Sequence, residues 1–177
     1  MRIFTADTHF NHKAMAENRQ FNSVAEHDEY RIKTWNNFVS KKDEVWHLGD
    51  FCFGDHKTVR QIRARLNGKI HLIMGNHDYQ NRLQNISGVF SSVQDLKVIK
   101  IKRVATTLCH YAMRTWSASH CGSWQLYGHS HGNLPPIGGQ WDVGLDNNGG
   151  MLLTEDMLEV IMRQIECSVN HLGVNAE

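Results

Sequence analysis

Lys69-Ile70-His71-Leu72-Ile73-Met74-Gly75-Asn76-His77-Asp78 joins the two features that set the fold. A short apolar run ending at Met74 reads as a buried strand, and Gly75 closes it just before three polar residues of ligand type. The same grammar recurs upstream. Met1–Ala6 reads as a buried strand ending at Asp7-Thr8-His9, and Glu44–Leu48 as another ending at Gly49-Asp50. Two helices separate these strands. Ser23, with Glu26 three residues on, is a capping-box signature that opens a helix to about Ser40, with Ile32, Trp35, Phe38 and Val39 as its apolar face. His56–Leu66 places Val59, Ile62 and Leu66 on one face, and Asn67-Gly68 stops it. Strand and helix alternate, which predicts a parallel α/β unit.

The second half changes character. Leu96–Lys102 and Val104–Cys109 read as two strands joined by a tight turn, with Trp124–Tyr127 and Trp141–Leu145 as two more. Gly132–Gln140, with Pro135-Pro136 and Gly138-Gly139, is a loop. A final helix spans Thr154–Cys167, with Met157, Ile161 and Ile165 at helical spacing. No repeat or linker interrupts the pattern, so the 177 residues are expected to form a single domain over 1–177.

Composition narrows the function classes. Hydrophobic residues at 41% and charged residues at 21% are globular values, which argues against disorder and coiled coil. No apolar run approaches the roughly 20 residues of a membrane helix. Asp7 interrupts the short apolar N-terminus, which does not fit a secretory signal, so a cytoplasmic location and no membrane partner are expected. Lys and Arg number 19 against 18 Asp and Glu, and this balance does not demand a polyanion. Cys52, Cys109, Cys121 and Cys167 form no CxxC pair and are expected to be reduced thiols acting as small hydrophobes, with Cys52 and Cys109 buried and inert beside the ligands. Twelve histidines stand out, and imidazole is both the commonest metal ligand and the acid/base of neutral pH.

The ligand-type residues sit where strands end, which is where open α/β sheets bind ligands. Asp7 and His9 follow the first strand, Asp50 the second, and Asn76 and His77 the third. His110 follows Val104–Cys109, and His129 and His131 follow Trp124–Tyr127. Asp7/His9 and His129/His131 are each two apart, so an extended backbone would turn both members of a pair the same way. Carboxylate, amide and imidazole donors without thiolate suit Mn²⁺, Fe, Ni or Zn.

The ordered series D-x-H, G-D, G-N-H-D, a lone His and G-H-x-H resembles the calcineurin-like metallophosphoesterase superfamily, and the match runs from residue 7 to 131. The resemblance implies a four-layer αββα sandwich of two mixed β-sheets flanked by helices, the metallo-dependent phosphatase fold. It implies two divalent metal ions about 3.5 Å apart, with Mn²⁺ favoured. Asp7, His9, Asp50 and His131 would hold the first, Asp50 would bridge, and Asn76, His110 and His129 would complete the second. Two such ions against Asp7 and Asp50 leave the cluster net positive, a phosphate trap in a nearly neutral chain. A water they share is deprotonated near neutral pH and attacks phosphorus in line. His77 would protonate the leaving oxygen as the catalytic general acid, without a phosphoenzyme.

Departures from the superfamily's patterns refine the activity. Protein phosphatases of the superfamily carry G-D-x-x-D-R-G, and Phe53 stands here where that motif has its second Asp. The stretches Asp7-Thr8-His9-Phe10-Asn11-His12, Asn18-Arg19-Gln20-Phe21, Trp35-Asn36 and His110-Tyr111-Ala112-Met113 resemble a small bacterial and phage subgroup, in which proline is expected at 20 and 112. The expected function is phosphodiester hydrolysis of small nucleotide-like substrates. A phosphomonoesterase or a nuclease on the same site is the alternative, and a metal-binding scaffold is a further one. Nucleic acid is the less favoured partner, because only the helix carrying Lys57, Arg60, Arg63 and Arg65 is basic.

Residues beside the ligands have competing readings. His12 could contact substrate or cap a helix, and Arg19 could clamp a phosphate with its fork or sit on the surface. Asp78 reads as a turn or helix cap. Tyr111 reads as packing, and His47 as a satisfied core histidine. His27, His56, His71, His120 and His171 read as surface residues.

Overall fold

The computed structural model describes residues 1–165. Along them run β1 (Arg2–Thr5), α1 (Lys13–Asn18), α2 (Val24–Phe38), β2 (Glu44–His47), α3 (His56–Ala64), β3 (Lys69–Ile73), α4 (Asn76–Gln80) and β4 (Ser92–Gln94). There follow β5 (Leu96–Ile101), β6 (Val104–Cys109), β7 (Trp124–Tyr127), β8 (Gln140–Asp142), β9 (Leu153–Thr154) and α5 (Glu155–Gln164). One sheet has the order β4-β3-β2-β1-β9 and is parallel except for β9. The other has the order β5-β6-β7-β8, and only its β5–β6 pair is antiparallel. Both sheets are therefore mixed, as the phosphatase fold requires.

Alternation along the strands divides the apolar residues between two cores. Ile3, Val45, Ile70 and Leu72 face Ile32 and Trp35 of α2 and Val59 and Ile62 of α3. Phe4, Trp46 and Ile73 face the opposite way and pack with Ile101, Leu108, Trp124 and Leu126 of the second sheet. Leu158 and Met162 of α5 join this second core. Burying a side chain of this size contributes roughly 1.5–3 kcal/mol, so the two faces hold the strand ends rigidly in register. Thr5 pairs with His47 and His47 with Leu72. The three loops that follow therefore leave the sheet at one level.

Local chemistry sets the helix boundaries. The Ser23 hydroxyl accepts from the Glu26 N–H at 3.1 Å, but the Glu26 carboxylate reaches Asn22 rather than Ser23, so half of the capping box forms. Asp55 caps α3, and Thr154 is the cap of α5 rather than its first residue. The C-terminal part of the predicted last helix, with Cys167 and His171, lies outside the described residues. Trp141–Leu145 is not one strand. Pairing stops at Asp142, and Gly144 instead bridges to Ala6 of the other sheet. The structure adds α1, α4, β4 and β9, segments too short for a periodic signal.

Two histidines expected at the surface are drawn inward, one fully and one in part. His27 is fully buried, and His71 stacks on Trp46 with ring centroids 4.5 Å apart. His47 is the core histidine expected, yet only half satisfied. Thr8 Oγ1 donates to the Phe51 carbonyl, so it accepts from His47 Nε2 at 2.9 Å, and the buried His47 Nδ1 has no partner. Burial, with His110 nearby, holds the His47 imidazole down at about 3. Between that value and its ordinary one the unfolded chain binds the extra proton and the folded chain does not, so stability rises with pH there. Urea unfolding should show stability falling as pH drops from 6.5 towards 4, and His47→Phe should flatten that limb. An unchanged slope in the variant would refute the assignment.

Candidate metal centre

Five of the seven predicted ligands occupy the left-handed backbone region, with φ 56° at Asp7, 49° at His9, 57° at Asp50, 67° at His129 and 48° at His131. Asp and His tolerate this region better than most residues, and such conformations persist only where surrounding contacts enforce them. This corrects the extended-backbone expectation for the two D-x-H and H-x-H pairs. The contacts that enforce the turns are visible. Asp7 N–H donates to the Gly49 carbonyl at 2.9 Å, and His9 N–H to the Asp50 carbonyl at 3.0 Å. Asp7 Oδ2 accepts from the His129 N–H at 2.9 Å, which ties the first sheet's rim to the second's.

The glycines before the ligands leave space for this closeness. A Cβ on Gly128 would lie 2.6 Å from Asp7 Oδ2, and one on Gly75 would lie 2.2 Å from Asp50 Oδ1. Asp78 binds the rim together. Its carboxylate accepts from the backbone N–H groups of Asp50, Phe51 and Gly75 at 2.7, 3.0 and 2.9 Å. Burial pushes it up to about 7 despite those donors. The expected turn role for Asp78 thus extends to holding two ligand loops.

The ligand atoms fall into two groups. Donor atoms of Asp7, His9 and His131 lie within 4.8 Å of one another, and so do those of Asp50, His110 and His129. Asp50 Oδ2 sits between the groups, 3.8 Å from His9 Nε2 and 3.6 Å from His110 Nε2. Asn76 Oδ1 joins the second group, 3.2 Å from His110 Nε2. The fit to cations rests on orphaned atoms. Asp7 Oδ1 and His9 Nε2 are buried, 3.7 Å apart and without a hydrogen-bond partner. Leaving such groups unpaired is costly, and a cation between them relieves both. Burial, with Asp50 and Asp142 nearby, pushes Asp7 well above the usual carboxylate range. Burial, with Arg19 and three imidazoles around it, keeps His9 far below its ordinary value, in the neutral form that ligates metal. All seven predicted ligands therefore converge, and oxygen and nitrogen donors without thiolate suit divalent ions.

His77 opens α4 beside this cluster. Its backbone N–H donates to Asp50 Oδ1 at 3.0 Å, and its Nε2 lies 3.8 Å from Asp50 Oδ2. His12 is the N-cap of α1, with Nδ1 accepting from the Met15 N–H at 3.2 Å, and its ring lies 5.5 Å from that of His77. Phe53 packs 4.4 Å from His12 and 5.0 Å from His77. Tyr111 does not merely fill space, since it stays 44% exposed while its ring lies 4.9 Å from His129. Cys52 is buried, and burial pushes its thiol far up, which makes it inert.

Arg19 corrects the expectation of a phosphate clamp. Nε and Nη2 form a fork on Asp146, both at 2.8 Å, and the other donors go to the Asp7 and Thr8 carbonyls and to His27. A guanidinium has five N–H groups, so none is left for substrate. Asp146 and Asp142 are the residues missed by sequence reasoning. Asp146 Oδ2 lies 2.6 Å from His131 Nδ1, and Asp142 accepts from the Ser130 hydroxyl and the Gly132 and Gly144 N–H groups. A carboxylate just after a predicted strand was the available signal for Asp146. Asp142 offered none, because it lay inside one.

Two of the four basic residues on and after α3 are committed within the protein, while Lys57 and Arg60 are exposed. Arg65 forks onto Glu29, and Arg63 donates to the Leu66 and Gly68 carbonyls. Among the described residues, no helix is long and apolar enough to cross a membrane.

The chain is similar to several known proteins. An uncharacterized protein of Methanocaldococcus jannaschii is 33% identical over 132 residues, which is 72% of this chain and 68% of that protein. The gene 66 proteins of Mycobacterium phages L5 and D29 are 39% and 40% identical over 42% of this chain, and the match spans 38% and 39% of their own lengths. A crystal structure of a protein of unknown function from Aquifex aeolicus superposes with a TM-score of 0.68 at 20% identity, covering 91% of this chain and 98% of that one. The family model for calcineurin-like phosphoesterases matches residues 2–146, from the first strand of the chain to the carboxylate behind His131. With that span, the chain belongs to the calcineurin-like phosphoesterases, a family of metal-dependent phosphoester hydrolases.

Proposed function

We propose that the chain is a dinuclear-metal phosphodiesterase acting on small nucleotide-like phosphodiesters, with His77 as general acid. Asp7, His9, Asp50 and His131 would hold one ion and Asn76, His110 and His129 the other, with Asp50 shared and Mn²⁺ favoured. Bound divalent ions supply Lewis-acid polarisation of a phosphoryl group.

The observation that carries the reading is the posture of His77. Gln80 Oε1 lies 3.2 Å from its Nδ1 and, as an acceptor, holds that nitrogen in the N–H form. Nε2 is left facing the ligand cluster, on a side chain 27% exposed. The protonated ring therefore presents Nε2–H to an ester oxygen leaving the cluster, and donates the proton there. His12 binds rather than reacts. Its Nδ1 accepts from the backbone, so its neutral Nε2 carries a hydrogen that can donate to a phosphate oxygen. Phe53, in the place of a carboxylate, leaves this corner without the charge that protein phosphatases have there.

Metal-stripped protein should hydrolyse bis-p-nitrophenyl phosphate once Mn²⁺ is added, and faster than p-nitrophenyl phosphate. A faster monoester would move the assignment to a phosphomonoesterase. No turnover of either by folded, metal-loaded protein would favour the scaffold reading.

A further inference from the structure

We infer that Arg19 and Asp146 form a brace that presets His131, and the Asp7–Thr8 turn, for the first of the two metal ions. This rests on the metal-site reading above, and it assigns a positioning role to two residues outside the ligand set.

His131 Nδ1 lies 2.6 Å from Asp146 Oδ2. An ionised carboxylate accepts only, so Nδ1 carries the hydrogen and Nε2 presents its lone pair to Asp7 and His9. Arg19 in turn fixes Asp146. Its side chain is 7% exposed and its fork meets both carboxylate oxygens. The same guanidinium takes the Asp7 and Thr8 carbonyls, at 2.6 and 3.0 Å, which is where the left-handed residues Asp7 and His9 point them. Its last donor meets His27 Nε2 at 3.1 Å, and His27 Nδ1 then donates to Asp28 at 2.9 Å, whose carboxylate accepts from the Asn11 N–H. One buried cation thus spans α1, α2, the first ligand turn and the turn after β8. In the second group the Leu48 carbonyl holds His110 Nδ1 at 2.7 Å, while His129 is exposed and its ring lies against those of His110 and Tyr111.

The test is calorimetric titration of metal-stripped protein with Mn²⁺, alongside thermal unfolding of the same metal-free samples. Asp146→Asn keeps the shape and removes the charge, and Arg19→Lys keeps the charge and removes the fork. Each should weaken one Mn²⁺ site about 10- to 100-fold, leave the other unchanged, and leave the metal-free protein folded. The double variant should be no weaker than the weaker single one, because the pair acts as a unit. In a His131→Ala background, Asp146→Asn should add nothing. Wild type that binds two Mn²⁺ ions beside an Asp146→Asn protein that binds both equally well overturns the brace and leaves the metal centre standing. Wild type that binds no Mn²⁺ overturns both. If Arg19→Lys does not fold, Asp146→Asn decides alone, since the Asp146 side chain keeps 23% exposure and asparagine keeps its shape.

Discussion

Replacing His77 by alanine is expected to lower turnover about 10²–10⁴-fold, the range for a lost general acid. The size should depend on the leaving group. A nitrophenolate departs without a proton, so the variant should lose least on nitrophenyl esters and most on an alkyl or nucleoside ester. Metal binding should survive, because what ties His77 to Asp50 is a hydrogen bond from the backbone N–H, at 3.0 Å, which alanine keeps. Steady-state kinetics over a leaving-group series, with Mn²⁺ binding measured in parallel, separates the possibilities. An equal loss on every ester would make His77 a phosphate binder, and unchanged rates would remove it from the reaction.

Gly75→Ala should be a strongly damaging single-methyl change in the rim. The added Cβ would lie 2.2 Å from Asp50 Oδ1 and 2.6 Å from the Asp50 backbone nitrogen. The side-chain oxygen could swing away only by abandoning the His77 N–H, and the backbone nitrogen only by leaving Asp78. Overpacking of this kind costs about 1–3 kcal/mol, a large part of the roughly 5–15 kcal/mol of a whole domain. Lower urea midpoints and weaker Mn²⁺ binding should appear together, since the displaced residue would be the shared ligand. A variant with native stability and native affinity would show that the close approach of the two loops is dispensable.

The two effects differ in kind, and so did their visibility in the chain. His77 was legible as chemistry because G-N-H-D follows a strand whose apolar run is local. Gly75 was legible only as a strand terminator. Its real constraint is an atom of Asp50 that the sequence places 25 positions away and β2–β3 pairing brings alongside.

Local order in the sequence determined the strands β1, β2 and β3, the helices α2 and α3, and the seven candidate ligands at strand ends. Each depends on residues a few positions apart, through side-chain alternation and helical spacing. Tertiary structure decided the rest. The left-handed turns at Asp7 and His9 are held from other segments: their N–H groups donate to the Gly49 and Asp50 carbonyls, and Arg19 donates to the Asp7 and Thr8 carbonyls. Arg19 reads as a free surface fork until Asp146, 127 residues along the chain, closes on it. His27 reads as a surface residue until that same guanidinium comes to lie against it. A hydrogen bond between distant segments leaves no period in a sequence, because its energy depends on where two turns meet in space and not on the spacing within either.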